Sequence, residues 1–114
     1  MPEIGQTMAV YSTLAGDPEY AELVDWFVQE IPHRVQAIEN AFNSQNREEL
    51  RRLAHQLKGA SGSYGFGVVT PLAAELEQAS ASDTGESTLL SAVQELMNIC
   101  AQLRAGTPTN GFER

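Results

Sequence analysis

The feature of the sequence that most constrains the fold is a pair of apolar stripes with helical spacing. In the first half of the chain, apolar residues recur at intervals of 4, 3, 4, 3 and 4: Val24, Val28, Ile31, Val35, Ile38 and Phe42. Near the end they recur at intervals of 4, 3, 4 and 3: Leu89, Val93, Leu96, Cys100 and Leu103. Each set lines one face of an amphipathic helix. Helices with such faces bury them against one another, and no stretch shows the alternation of a strand.

A further helix is predicted in the middle of the chain. The polar residues 44–46 end the first stripe, and Asn46-x-x-Glu49 has the form of a capping box. The apolar face of this helix contains Leu50, Leu53, Leu57 and Tyr64. A glycine-containing segment at residues 65–67 then ends it.

The remaining helix lies between this one and the C-terminal stripe. It begins near Thr70-Pro71, and the sequence allows two starting points. Either threonine is the N-cap and proline stands in the first turn, or both lie in the first turn of a helix that begins near Gly67. Its inner face is predicted to contain Val69, Leu72, Leu76 and Ala79. Residues 80–87, rich in Ser, Thr, Asp and Gly, are predicted to be a loop.

These elements predict an all-α fold, an antiparallel up-down bundle of four helices in residues 17–105. Asp17-Pro18 has the form of a helix start, and Pro32 should kink the first long helix or divide it into two collinear ones. Residues 1–16 are predicted to form an N-terminal segment with a short helical turn around Val10, Tyr11 and Leu14, and residues 106–114 a flexible tail.

The charge distribution limits the kinds of partner. A net charge of −8 argues against nucleic acid and anionic membrane surfaces. However, four of the seven cations lie within twelve residues: Arg47, Arg51, Arg52 and Lys58. Because no apolar run approaches the roughly 18 residues of a membrane span and no signal peptide is visible, we expect a cytoplasmic location. The single cysteine, Cys100, lies in an inward position and is expected to be a small buried apolar residue.

The basic cluster surrounds a histidine that faces away from the apolar stripe. His55 falls opposite Leu50, Leu53 and Leu57, while Arg51, Arg52, Lys58, Gly59 and Gly62 share its face. Glycine inside a helix costs about 1 kcal/mol relative to alanine, so two glycines beside an exposed imidazole need a reason. Missing side chains would give a bulky partner access to the ring. A neutral imidazole among cations suits a phosphoryl group.

The residues around His55 resemble the signature of histidine phosphotransfer (HPt) domains. The similarity rests on Ala54, His55-x-Leu57-Lys58-Gly59 and Gly65, extends through Phe27, Pro32 and Leu76-Glu77, and covers most of residues 9–104. It implies that His55 carries a phosphoryl group on Nε2 and that Lys58 stabilises it. It also implies that a polar residue of the next helix holds Nδ1–H. Glu77 matches that position, and Gln78 is an alternative.

The resemblance implies a phosphorelay carrier that shuttles a phosphoryl group between aspartates of receiver domains. Response-regulator receivers are the expected partners, and a hybrid sensor histidine kinase is a further candidate. Arg51 and Arg52 either steer an acidic receiver or simply form a solvated face. The resemblance places Mg²⁺ in the receiver, so no cofactor or metal of the chain's own is expected. We expect a monomer without kinase activity. Whether the chain is free-standing or part of a larger kinase stays open.

Other interpretations of the sequence are less favoured. One is a phosphorylation-independent helical adaptor that docks an acidic partner, and another is an enzyme with His55 as general base. Glu30-x-x-His33 has the spacing of half a di-iron site, but no second such pair is present. Trp26, roughly opposite the first stripe, is expected to pack under the N-terminal turn, with a docking surface as the alternative.

Overall fold

A computed structural model describes residues 9–107, in which four helices form the fold. The helices are α1 (Ala21–Asn43), α2 (Arg47–Ser63), α3 (Thr70–Ala81) and α4 (Glu86–Cys100). Two short strands, β1 (Val10–Tyr11) and β2 (Leu103–Arg104), flank them and pair in parallel, with Val10 opposite Leu103. The predicted all-α four-helix fold is therefore confirmed.

Contacts between helix ends show that successive helices run in opposite directions. Phe27, near the start of α1, stacks on Tyr64, just after α2, with ring centroids 4.6 Å apart. At the other end of the bundle, Arg47 at the start of α2 donates to the carbonyl oxygen of Ala79 near the end of α3. Leu72 and Ile99, near the start of α3 and the end of α4, line the same groove.

The predicted stripes supply much of the core. All five apolar residues of the C-terminal stripe are buried: Leu89, Val93, Leu96, Cys100 and Leu103. In the first stripe Val24, Ile31 and Ile38 are buried, the other three are partly buried, and Phe27 joins the core. On α3, Ala73 is buried whereas Leu72 is only partly buried. Burial also raises the pKa of the Cys100 thiol to about 11, which fits an inert apolar position.

The helix starts follow the sequence only in part. Asn46 caps α2 as predicted, its side chain accepting a hydrogen bond from Glu49 N at 3.1 Å. By contrast, α1 begins at Ala21, because the Asp17 side chain accepts from Glu19 N at 3.0 Å and so closes a turn ahead of the helix. α3 begins at Thr70, between the two predicted starting points, with Pro71 in its first turn. α1 continues through Pro32 as one helix, so the interpretation as two collinear helices is wrong.

Residues 9–16, which we call the N-terminal strap, contact both the end of α2 and strand β2. Leu14 lies in the predicted turn, but Val10 and Tyr11 are extended and form β1, so the prediction of a short helical turn is wrong for these two residues. Ser12 Oγ donates to the Tyr64 carbonyl at 2.6 Å, and Thr13 N donates to the Gly65 carbonyl at 3.0 Å. The expectations for residues 1–8 and 108–114 lie outside the described residues.

Candidate functional site

His55 lies in the middle of α2 and projects away from the core. Its neighbours Ala54 and Leu57 are buried, because they face α1 and α3 along the apolar side of the helix. The His55 side chain is 64% exposed. Its outward orientation, predicted from helical periodicity, is confirmed.

A carboxylate of the next helix contacts the ring. Glu77 on α3 lies with Oε2 2.9 Å from His55 Nδ1, and with Oε1 2.8 Å from Lys58 Nζ. One carboxylate therefore joins the histidine and the lysine of the motif, and its own side chain is only 21% exposed. Of the two predicted partners for the ring, the structure brings Glu77 to His55, while the exposed Gln78 forms no hydrogen bond with it.

His55, Lys58 and Glu77 form a hydrogen-bonded cluster, and these hydrogen bonds determine where its protons lie. Lys58, and then His55, hold the pKa of the Glu77 carboxyl below its ordinary value of 4.5. Glu77 is therefore ionised at neutral pH, and a carboxylate accepts hydrogen bonds but cannot donate them. The proton of the neutral ring must then lie on Nδ1, which leaves a free electron pair on Nε2.

The two glycines beside His55 are not required by packing within the domain. A Cβ atom on Gly59 would meet nothing within 4 Å, and one on Gly62 would lie 3.8 Å from Thr70 Oγ1, an ordinary van der Waals distance. Both positions are exposed. The bare surface beside the ring is therefore a property of the outer face of α2 and not a consequence of internal packing.

Fewer of the cations around His55 are available to a partner than the sequence suggested. Arg47 donates to the backbone carbonyl oxygens of Ala79, Ser82 and Thr84, and so ties α2 to the connection between α3 and α4. Arg52 forms a two-pronged ion pair with Glu49 one turn earlier. Lys58 is paired with Glu77. Of the four cations, only Arg51 has no ion pair or side-chain hydrogen bond to another described residue, so the positive charge open to a partner is small.

A group of exposed apolar side chains near the start of α1 was not predicted as a set. Tyr20, Leu23 and Trp26, with Val68 of the α2–α3 connection, are large apolar residues that remain exposed. The Trp26 ring lies beside Tyr64, with centroids 6.1 Å apart, and keeps 49% of its surface exposed. The expectation that Trp26 packs under the N-terminal turn is therefore wrong. The only sequence signal was its position opposite the first stripe.

The other histidine is isolated from the site. The His33 side chain is 81% exposed, with Nδ1 4.0 Å from the Glu30 carboxylate. Within residues 9–107, no three His, Cys, Asp or Glu side chains come together as a metal would require. In the same part of the chain, no helix has both the length and the apolar character needed to cross a bilayer.

Comparison with known proteins gives a match to one family of domains. The family model of the Hpt domain matches residues 22–106, which includes all four helices almost completely. No curated protein and no solved structure gives a significant match. Because the family match covers most of the chain, this protein belongs to the Hpt domain family, whose members have a phosphotransfer role in phosphorelays.

Proposed function

We propose that this Hpt domain carries a phosphoryl group on His55 Nε2 and shuttles it between aspartates of receiver domains. The ring nitrogen takes the group from an aspartyl phosphate of one receiver and returns it to an aspartate of another. The observation that best supports this role is the pairing of Nδ1 with Glu77, which leaves Nε2 as the free nucleophile on an exposed ring.

The chain's contribution is the nucleophile and its immediate surroundings. Lys58 Nζ lies 2.8 Å from Oε1 of the carboxylate whose other oxygen contacts the ring, and as a flexible point charge it would stabilise the phosphoryl oxygens. The receiver would supply the Mg²⁺ ion and the acidic pocket that accepts the group, so the reaction would need the two proteins in contact. The bare surface at Gly59 and Gly62 is where a receiver could approach the ring closely.

The exposed apolar group supports a docking role at the same end of the bundle. Trp26 neighbours Tyr64, which ends α2, and Val68 follows four residues later, so these side chains lie beyond Gly62 in the direction that α2 runs from His55. Large aromatic side chains that stay exposed are typical of protein interfaces. Arg51 could attract an acidic partner electrostatically, whereas Arg52 would first have to break its ion pair with Glu49.

Transfer from a phosphorylated receiver tests the proposal, with the two histidines as matched variants. His55→Gln should abolish acid-labile, base-stable labelling and retain receiver binding. His33→Gln should label like the wild type, because His33 lies on α1 and makes no contact with the cluster. The measurement is label transfer from receiver domains of a purified panel, together with binding of each variant to the same receivers.

Two outcomes would overturn the proposal. A His55→Gln protein that still takes up the label would place the phosphoryl group on another residue. A wild-type protein that binds receivers but takes no label from any phosphorylated receiver would instead support the phosphorylation-independent adaptor.

A further inference from the structure

Arg34 of α1 is a partly buried cation without an acceptor. Its guanidinium carbon lies 5.7 Å from the centroid of the Phe27 ring, and its Nε atom is buried and has no hydrogen-bond partner. Arg34 also forms no ion pair with another described residue. A guanidinium has five N–H donors, and removing them from water without an acceptor costs free energy. The folding of the isolated domain therefore does not explain why this position carries a charge.

Arg34 lines a cleft of about 240 Å³ between α1 and α2. Ala37, Ile38 and Leu53 give the cleft apolar walls, and Gln56 adds an amide group. Pockets for drug-sized molecules have volumes of about 300 to 1,000 Å³, so this cleft is too small for such a ligand. It is large enough for a single side chain of another protein.

The acidic residue of the same cleft does not serve as the acceptor. Glu30 lies one turn before Arg34, a spacing at which opposite charges on a helix often pair. Its carboxylate lies 4.0 Å from His33 Nδ1 and is not within ion-pair distance of Arg34, whose guanidinium extends to Phe27. The N–H groups of Arg34 are therefore available to an acceptor from outside the domain.

We propose that Arg34 binds an acidic side chain of the receiver when the receiver docks over His55. This inference rests on the proposed function and deepens it, because it names the chemistry of one receiver contact. A planar guanidinium binds a carboxylate through two parallel hydrogen bonds, and a recessed position strengthens them. Arg34 contacts the partner and not the reacting atoms, so it determines binding and not the chemical step.

The cleft lies within the area that a receiver centred on His55 would cover. Gln56, which lines the cleft, follows His55 directly in α2. A stable protein–protein interface covers about 800 Å² of each partner, which is a patch about 30 Å across, whereas a helix is only about 10 Å wide. A receiver that covers the bare surface at Gly59 should therefore also cover the mouth of the cleft.

Aromatic contacts join Arg34 to the exposed apolar group. The Phe27 ring beneath the guanidinium stacks on Tyr64 with centroids 4.6 Å apart, and the Tyr64 centroid lies 6.1 Å from that of Trp26. Arginine, tyrosine and tryptophan are the residues that most often dominate the binding energy of protein interfaces. One partner could therefore cover both the charged and the apolar part of this surface.

Arg34→Met tests the assignment, because methionine has a similar helix propensity and can pack on Phe27 without a charge. The apparent KM for a phosphorylated receiver should rise at least roughly tenfold. Both kcat and labelling of His55 by phosphoramidate, which needs no receiver, should be unchanged. The variant should unfold at the same or a higher urea concentration than the wild type, since an unpaired and partly buried charge has been removed. The receiver is the member of the purified panel that gives the fastest transfer.

Two further substitutions serve as controls. Arg104→Met makes the same charge change on β2, where the arginine is exposed and donates to the nearby backbone carbonyls of Ala101 and Leu103, so the KM should not change. Glu30→Gln removes a negative charge from the cleft and should lower the KM, because a carboxylate entering the cleft would no longer be repelled.

Variants of the receiver identify the group that Arg34 binds. Each exposed Asp or Glu of that receiver is neutralised in turn. One of these variants should show the same rise in KM as Arg34→Met. Combining it with Arg34→Met should then add no further rise, because both changes remove the same contact.

Three results would overturn the inference. The first is an unchanged KM for Arg34→Met. The second is a destabilised Arg34→Met protein, because the guanidinium would then have its partner within the domain. The third is an additive effect of Arg34→Met with every receiver variant. If the wild type takes no label on His55, the proposed function fails; if it is labelled and only the KM values agree, this inference alone fails.

Discussion

At the scale of single residues, Glu77 should give the folded protein a measurable pH dependence. Its pKa in the folded state lies below the ordinary value of 4.5, because it accepts hydrogen bonds from Lys58 and His55. A lowered carboxyl pKa contributes stability that is complete above the unfolded value and is lost as the pH falls through the folded value. The stabilisation due to Glu77 should therefore be constant near neutral pH and decrease below about pH 4.5.

Urea unfolding of wild type and Glu77→Gln at a series of pH values measures this contribution. The difference in free energy of unfolding between the two proteins should shrink as the solution is acidified from pH 6 towards about pH 3. Glu75→Gln is the control, because it makes the same charge change at an exposed position of α3. Its difference in free energy of unfolding from the wild type should not shrink on acidification. A difference that does not change with pH would show that the contacts of Glu77 add no stability in solution.

The position of His55 could be predicted from the sequence pattern, whereas the contact made by Glu77 could not. The outward position of His55 follows from periodicity alone, because its angle around the helix is fixed relative to Leu50, Leu53 and Leu57. Glu77 lies 22 residues later, on another helix. Its contact with the ring depends on how α2 and α3 pack, which no local spacing encodes, so only the family resemblance pointed to it and Gln78 stayed open beside it.

At the scale of elements, the junction between the N-terminal strap and the end of α2 leads to a test of stability. Gly65 has φ +82, and a Cβ there would lie 2.3 Å from Ser12 Oγ and 3.0 Å from Thr13 Oγ1. Gly65→Ala should therefore destabilise the domain by about 2 to 4 kcal/mol, from backbone strain and from displacement of the strap.

Gly67→Ala is a matched control two residues away, since its Cβ would meet nothing within 4 Å. Its effect on the free energy of unfolding should be within about 1 kcal/mol. Urea unfolding of the three proteins measures both changes. Equal stability of Gly65→Ala and wild type would mean that the strap does not pack against Gly65 in solution.

The elements also show which structural signals are local. Asn46 could be predicted as a cap because its hydrogen bond to Glu49 N spans only three residues. Asp17 has an equally good cap sequence, but its side chain bonds to Glu19 N in a turn, and the helix begins four residues later. β1 and β2 are two residues each and pair across most of the chain, so no alternating pattern announces them.

At the scale of the whole molecule, the bundle was predictable because the residues that periodicity selects for the two stripes are all buried or partly buried. The exposed apolar group was not, because a residue off the stripe is covered or left exposed according to the path of neighbouring segments. Trp26 shows this directly, since the strap reaches Tyr64 and Gly65 but leaves about half of the tryptophan uncovered.

A substitution at Gly59 should change the stability of the isolated domain and its reaction with a receiver in opposite directions. Leucine at this position would meet no neighbouring atom at Cβ and would replace glycine in the interior of an exposed helix. Gly59→Leu should therefore raise the free energy of unfolding by about 0.5 to 1 kcal/mol. The same side chain stands one turn from His55 on the bare surface, where a receiver would have to approach. The rate of transfer from a phosphorylated receiver should fall by at least about tenfold. Labelling of His55 by phosphoramidate, a small phosphoryl donor, should be retained.

Gln94→Leu is the control for an added exposed leucine, because Gln94 is an exposed residue of α4, which packs mainly on α1 and α3. It should transfer like the wild type. Urea unfolding, receiver transfer and phosphoramidate labelling of the three proteins together separate loss of access from loss of folding or of the nucleophile. A Gly59→Leu protein that exchanges phosphoryl groups with receivers at the wild-type rate would show that the bare surface beside His55 is not the route of approach, because a receiver held against that face could not reach Nε2 past the leucine.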